Sequence, residues 1–226
     1  MTAFPFDLVG FDLDGTLLDT SMDLGVALNA TLADIGRPPV PDAAVRGLIG
    51  GGSKLMLKKA LDLTGGSDGH DINALWPPLI EHYSRAISVH TCLFPGGAQM
   101  LDTLEAEGVR LALVTNKLHA LARQLLEELG LAHRFAVILG GDSLGPGRAK
   151  PAPDLLTEML SLTGATRAAY VGDTTYDTRA ARAAGLPCVA VSFGFYDLPP
   201  HELGADAVID HYDELVPTLR TLPPRA

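Results

Sequence analysis

The chain is poor in several things that define whole classes of protein. Two cysteines, Cys92 and Cys188, among 226 residues are too few for a disulfide framework and form no CxxC pair, which fits a reducing compartment. Basic residues number 17 against 27 acidic ones, a net charge of −10, which argues against a nucleic acid or an anionic membrane surface as principal partner. Apolar runs such as LALV and AVIL are far too short to span a bilayer. The opening MTAFPF carries no basic start and no apolar stretch of signal-peptide length, so the protein is expected in the cytoplasm, without a membrane partner. Seven histidines show neither HExxH nor another metal spacing.

What remains is a globular composition, 47% hydrophobic and 19% charged, in a length that suits one large domain or a domain with an insertion. Short apolar segments bounded by Gly, Asp or Pro occur at 7–11, 109–115, 135–139, 168–172, 188–192 and 206–210, as buried parallel strands require. Between them, 97–107, 117–130, 151–163, 175–184 and 212–221 carry apolar residues at helical spacing, for example Leu118, Leu121, Leu125 and Leu129. Alternation of this kind predicts an α/β fold, a doubly wound (Rossmann-like) parallel sheet covered on both faces. Only the tail TLPPRA reads as frayed.

One region breaks the alternation. From 20 to 90 there are amphipathic pieces and no strand, beginning with Leu24, Leu28, Leu32 and Ile35 and ending, beyond the pair Pro77-Pro78, with LIEHYSRAISV. This predicts a small α-helical cap at 20–90 inserted into a core made of 1–19 and 91–226. Both ends of the insert return near the carboxyl end of the first strand, so it should lie over the crevice where parallel sheets bind ligands. Trp76 is expected to pack within the insert, and the glycines at 50–52 and 96–97 to serve as hinges.

The chemistry is concentrated in four pieces at the strand ends: DLDGT (12–16), VTNK (114–117), AKPAPD (149–154) and GDTTYD (172–177). Asp12 and Asp14 are separated only by Leu13, and their mutual repulsion is costly unless a cation or proton is shared. With Asp173 they make a hard oxygen cage that suits Mg²⁺ better than Zn²⁺. Asp12 can then attack phosphorus as a nucleophile, giving an aspartyl phosphate. Asp14 lends its carbonyl to the metal and keeps its side chain for proton transfer, with a pKa raised by neighbouring carboxylates. Thr115 offers a hydroxyl and an amide to a phosphoryl oxygen, and Lys150 a positive charge. Gly15 permits the sharp turn that lets amides face the phosphate, and Asp177, one turn into a helix, is placed to orient Lys150 or a metal-bound water. Each piece alone has a plainer reading, a turn for DLDGT and an N-cap for GDTTYD, so the inference rests on all four together.

These motifs, in this order and at roughly this spacing, resemble the haloacid dehalogenase-type phosphohydrolases over nearly the whole chain. The resemblance implies Asp12 as nucleophile and Asp14 as acid/base. It also implies Thr115 and Lys150 as phosphate ligands, with Gly15, Thr16 and Asn116 beside them, and Mg²⁺ on Asp12, Asp14 and Asp173 with Asp177 in support. The insert is similar to the cap of the phosphoglycolate phosphatase branch, with VRGLIGGG (45–52) as a loop that dips toward the substrate, carrying Arg46 and Gly51 and followed by Lys54. The expected activity is Mg²⁺-dependent hydrolysis of a small phosphorylated metabolite, with 2-phosphoglycolate as best single guess, by a monomer or homodimer. Pyrophosphate, sugar phosphates and nucleotides stay open as substrates. A mutase is disfavoured because TSMDL after Asp19 lacks that group's histidine, and a phosphonate hydrolase because Asp14 is present. From another class, a phosphate sensor or receiver would use the same Asp, Thr and Lys but needs no cap.

Overall fold

The computed structural model describes residues 4–224; residues 1–3 and 225–226 lie outside them, and with them the end of the tail expected to fray. The strands in chain order are β1 (Leu8–Phe11), β2 (Leu18–Asp19), β3 (Cys92–Leu93), β4 (Arg110–Val114), β5 (Phe135–Leu139), β6 (Ala168–Gly172), β7 (Cys188–Val191) and β8 (Ala207–Ile209). The helices are α1 (Ser21–Asp34), α2 (Asp42–Val45), α3 (Ser53–Leu63), α4 (Ile72–Arg85), α5 (Gly97–Ala106), α6 (His119–Glu128), α7 (Asp154–Thr163), α8 (Thr175–Ala183) and α9 (Leu215–Thr221).

Six strands form one parallel sheet in the order β5-β4-β1-β6-β7-β8. Alternate residues along the central strands feed two different cores. Val9, Phe11, Leu111, Leu113 and Val171 face one side; Leu8, Ala112, Val114 and Tyr170 join the second core, against α7 and α8. From β1 the chain fills one flank through β4 and β5, then jumps across to β6 and fills the other. This reversal of winding direction at β1 makes a crevice at the carboxyl ends of β4, β1 and β6. Register puts the crevice in one plane, since Phe11 pairs with Leu113 on one side and Val171 on the other. The residues that follow, Asp12, Thr115 and Asp173, therefore emerge together.

The chain between β2 and β3 is helical, as the strandless stretch predicts, with α1 and α4 packed antiparallel to one another through Leu28, Leu32, Leu79 and Tyr83. Two features depart from expectation. Pro77 and Pro78 do not mark a helix start; they lie inside α4, which begins earlier because the Asp71 carboxylate caps it by accepting from the Asn73 amide at 2.9 Å. The amide bonds that the two prolines cannot make are offset by the packing of Leu79 and Tyr83. The second feature is the antiparallel ribbon β2–β3, where Leu18 pairs with Leu93 and Asp19 with Cys92, so the chains entering and leaving the insert run side by side. Buried Asp23, in the first turn of α1, locks the crossing by accepting from the amides of His90 and Thr91 and from the Thr91 hydroxyl. At Gly96, one of the glycines expected at a hinge, a Cβ would meet His211 and Tyr212 of the core. None of the helices among the described residues is long and apolar enough to cross a membrane.

Candidate active site

Lys150 is the organising group of the crevice. Its ammonium is buried and lies 2.7 Å from Asp12 Oδ1, 2.7 Å from Asp177 Oδ1, 2.9 Å from the Tyr170 hydroxyl and 3.0 Å from the Val114 carbonyl. Tyr170 in turn donates to Val114 at 2.6 Å, so its oxygen is oriented to accept from Lys150. Burial opposes the charge, but Asp12 and Asp177 outweigh it and hold the lysine well above its ordinary pKa. It is a fixed cation in the centre of an acidic nest.

The acids outnumber that cation. Asp12, Asp173 and Asp177 are all buried and each offers an oxygen within 4.8 Å of the others. Burial pushes Asp12 up to about 6, with Lys150 pulling it down and Asp177 pushing it further up. Asp173 is raised well above the usual carboxylate range by burial and by Asp177 and Asp12. Three carboxylates against one ammonium leave an excess of negative charge in a low-dielectric setting, and the oxygen-only donor set is of the kind that holds a hard divalent cation. A buried acidic cluster able to bind a metal ion is therefore part of the site.

Local structure explains how each acid is aimed. Asp12 follows β1, its amide held by Val171 O at 2.9 Å. Asp173 is gripped by the Thr16 hydroxyl at 3.1 Å and the Phe195 amide at 2.7 Å. Asp177 completes a capping box with Thr174 at the start of α8: its Oδ2 accepts from the Thr174 amide and hydroxyl at 3.0 and 2.6 Å while Oδ1 meets Lys150. The plain N-cap reading of GDTTYD and the chemical one are thus both realised, on different oxygens of one side chain.

Asp14 points elsewhere. Its neighbours were expected to be carboxylates; instead Lys117 donates to both of its oxygens, at 2.7 and 2.9 Å, and Thr20 donates to Oδ1 at 2.7 Å. The Asp14 side chain is outside the three-acid group.

Other expected contacts are also redistributed. Thr115 lines the cavity beside Asp12, but its amide is taken by Leu139 O at 2.9 Å, so only the hydroxyl faces a substrate. The Gly15 amide likewise donates to Leu18 O, and the residue is glycine because φ is +86° and a Cβ would meet Asp173 Oδ2 at 2.1 Å. Thr16 is fully buried, its hydroxyl on Asp173 and its carbonyl accepting from Tyr212.

In the cap loop, Gly50 and Gly52 line the cavity. Gly51 does not, since a Cβ there would strike Leu55 and the Tyr176 hydroxyl. Arg46 pairs with Asp19 at 2.5 Å and sits over the Phe195 ring, and Lys54 bonds Asn73 over Trp76; neither is among the residues that line the cavity. Trp76, bonded to Ser53, stays within the insert as expected.

Above the acids the cavity runs under the insert, walled by Leu24, Ile49, Met56, Leu79, Leu118 and Leu121. Two side chains there have no role in the sequence reading. Lys117, expected at a helix start, lies in the loop before α6 with its ammonium 4.6 Å from the Tyr83 ring centroid. Tyr83 presents a buried hydroxyl with no hydrogen-bond partner, and burial pushes its pKa up to about 12. Asn116 donates to Lys150 O and leaves its own buried Oδ1 unpaired. A lysine directly after VTN was the available signal for the first; nothing local marks Tyr83.

Known proteins are similar to this chain. A phosphoglycolate phosphatase of Agrobacterium fabrum is 39% identical over 222 residues, covering 97% of this chain and 95% of the relative. One of Cereibacter sphaeroides is 37% identical over 220 residues, covering 95% and 98%. Among solved structures, a predicted phosphoglycolate phosphatase of Haemophilus somnus superposes with a TM-score of 0.87 at 28% identity, covering 96% of this chain and 99% of that one. The family model for haloacid dehalogenase-like hydrolases matches residues 9–191, from β1 through β7. With the inserted helices and the acid cluster in that span, which is well over half of the chain, the chain belongs to the haloacid dehalogenase-like hydrolase family.

Proposed function

We propose that the protein is a Mg²⁺-dependent phosphomonoester hydrolase of small phosphorylated metabolites in the cytoplasm, with 2-phosphoglycolate as its substrate. The observation that carries the reading is the buried group Asp12, Asp173 and Asp177 around the single ammonium of Lys150. The names of the curated relatives support the substrate.

In this reading Asp12 Oδ attacks phosphorus along the axis of the leaving alcohol, forming an aspartyl phosphate that water then hydrolyses. Lys150 and the Thr115 hydroxyl receive the phosphoryl oxygens. Asp14, on the cavity wall, passes a proton to the leaving oxygen and takes one from the attacking water. Mg²⁺, held by Asp12, Asp173 and the Asp14 carbonyl with Asp177 beside them, would neutralise the surplus acid charge and draw electron density from the phosphoryl group. Asp177 keeps Lys150 in place through Oδ1. Residues 20–90 act as the cap over a core of 1–19 and 91–226, excluding water from the cavity.

A panel of phosphorylated metabolites assayed for phosphate release at fixed Mg²⁺ tests the proposal. Release should be fastest from 2-phosphoglycolate and should stop with EDTA and in Asp12→Asn. A stable phosphorylated protein with no phosphate release would favour the sensor reading instead.

A further inference from the structure

The cavity under the insert is walled mainly by apolar side chains, with Ser53, Tyr83, Asn116 and Lys117 among them. Leu24, Ile49, Met56 and Leu79 form its walls, and against them stand a cation and a hydroxyl from opposite sides of the molecule. Lys117 belongs to the loop after β4, in the core; Tyr83 belongs to α4, in the insert. Asp14 occupies two of the ammonium's three N–H groups, which leaves one for a further acceptor. Tyr83 is buried, and its hydroxyl stands beside the Lys117 ammonium with no partner at full hydrogen-bond geometry. Leaving a hydroxyl unpaired in a buried wall is unfavourable, so its position beside an available N–H calls for a ligand that satisfies both.

We propose that Lys117 and Tyr83 form a two-donor receptor for a carboxylate on the leaving group, one donor supplied by the core and one by the insert. The proposal rests on the phosphomonoesterase reading, which sets the phosphate at Asp12. Both groups are donors and one of them is charged, so the ligand that complements this pair is an anion. The cavity holds only about 50 Å³, against the ~10–15 Å³ that one water needs on the same measure, so the leaving group is a few atoms long. Asp14 on the same wall does not exclude a carboxylate, because Lys117 lies between them and can bridge both. A substrate held in this way also ties α4 to the core, which couples recognition to closure of the insert.

The test compares kcat/KM for 2-phosphoglycolate and ethyl phosphate, which carries a methyl group in place of the carboxylate, in the wild type, Tyr83→Phe and Lys117→Met. The wild type should prefer 2-phosphoglycolate. The preference should shrink about 10-fold in Tyr83→Phe and about 10- to 100-fold in Lys117→Met, as expected for losing a hydrogen bond to a charged group. A ratio unchanged in both variants would overturn the receptor, because damage to Asp14 or to folding alone lowers both substrates together. So would a wild type that treats the two esters alike or prefers glycerol 3-phosphate. Those outcomes leave the phosphomonoesterase reading standing, whereas hydrolysis of none of the esters by the wild type would remove it.

Discussion

The two ends of the cavity are built on opposite principles. Around Asp12 the polar groups are saturated: Lys150 has four acceptors within 3.0 Å, and Asp173 and Asp177 are each gripped by amides and hydroxyls. Under the insert the lining is aliphatic, and the Tyr83 hydroxyl and Asn116 Oδ1 are left unpaired. The first end is rigid and determined by its own framework, which suits a reaction whose charges must be met without reorganisation. The second leaves polar atoms for the substrate to satisfy, which suits selection among esters. Changes at the core end should therefore appear in kcat, and changes at the cap end in KM.

The largest effect should come from Asp12→Asn, which removes the proposed nucleophile while keeping its shape. A fall in kcat of at least about 1,000-fold is expected in steady-state phosphate release, with binding of product phosphate retained. Lys150→Met comes next. It leaves Asp12 and Asp177 buried without their cation, so kcat should drop by about 100-fold. The metal-free protein should also lose about 3–5 kcal/mol in denaturant unfolding.

Leu79→Ala, at the other end, should raise KM several-fold while kcat on p-nitrophenyl phosphate changes little. A kcat loss matching that of Lys150→Met would erase the distinction between the two ends. The smallest effect is electrostatic and concerns the core end alone. Asp12 titrates near 6 in the folded protein against about 3.8 when unfolded, so the folded state binds the proton more tightly. Metal-free protein should therefore melt at higher temperature as pH falls from roughly 8 to 5.5, by a margin that Asp12→Asn diminishes and that Mg²⁺ added at the higher pH makes up.

The same contrast governs what could be read in the sequence. The core end is carried by contiguous pieces on strand ends, and period and punctuation alone placed β5 and β6 at their observed bounds. Asp12, Asp173 and Lys150 meet because neighbouring parallel strands end in one plane. The cap end is assembled from α1, α3, α4 and the loop after β4, and which side chains face inward depends on how helices pack across long sequence separations.

Lys117 was hidden by a helix assumed to begin two residues too early, and Tyr83 by an amphipathic pattern that also describes ordinary core. Arg46 and Gly51 followed from likeness of a loop, and packing turned them toward Asp19 and Tyr176. The ribbon β2–β3 is two residues per strand, too short for any periodicity. Thr16 and Gly15 also lie against Asp173, a contact that the motif's pattern alone does not reveal.

The central claim is that Asp12 becomes phosphorylated. Rapid acid quenching of the enzyme during turnover of 2-phosphoglycolate with Mg²⁺, followed by peptide mapping, tests it directly. A phosphoryl group on the peptide containing Asp12, forming before free phosphate appears and absent in Asp12→Asn, is the predicted result. Phosphate release at full rate with Asp12 unmodified, or unchanged release by Asp12→Asn, would contradict it.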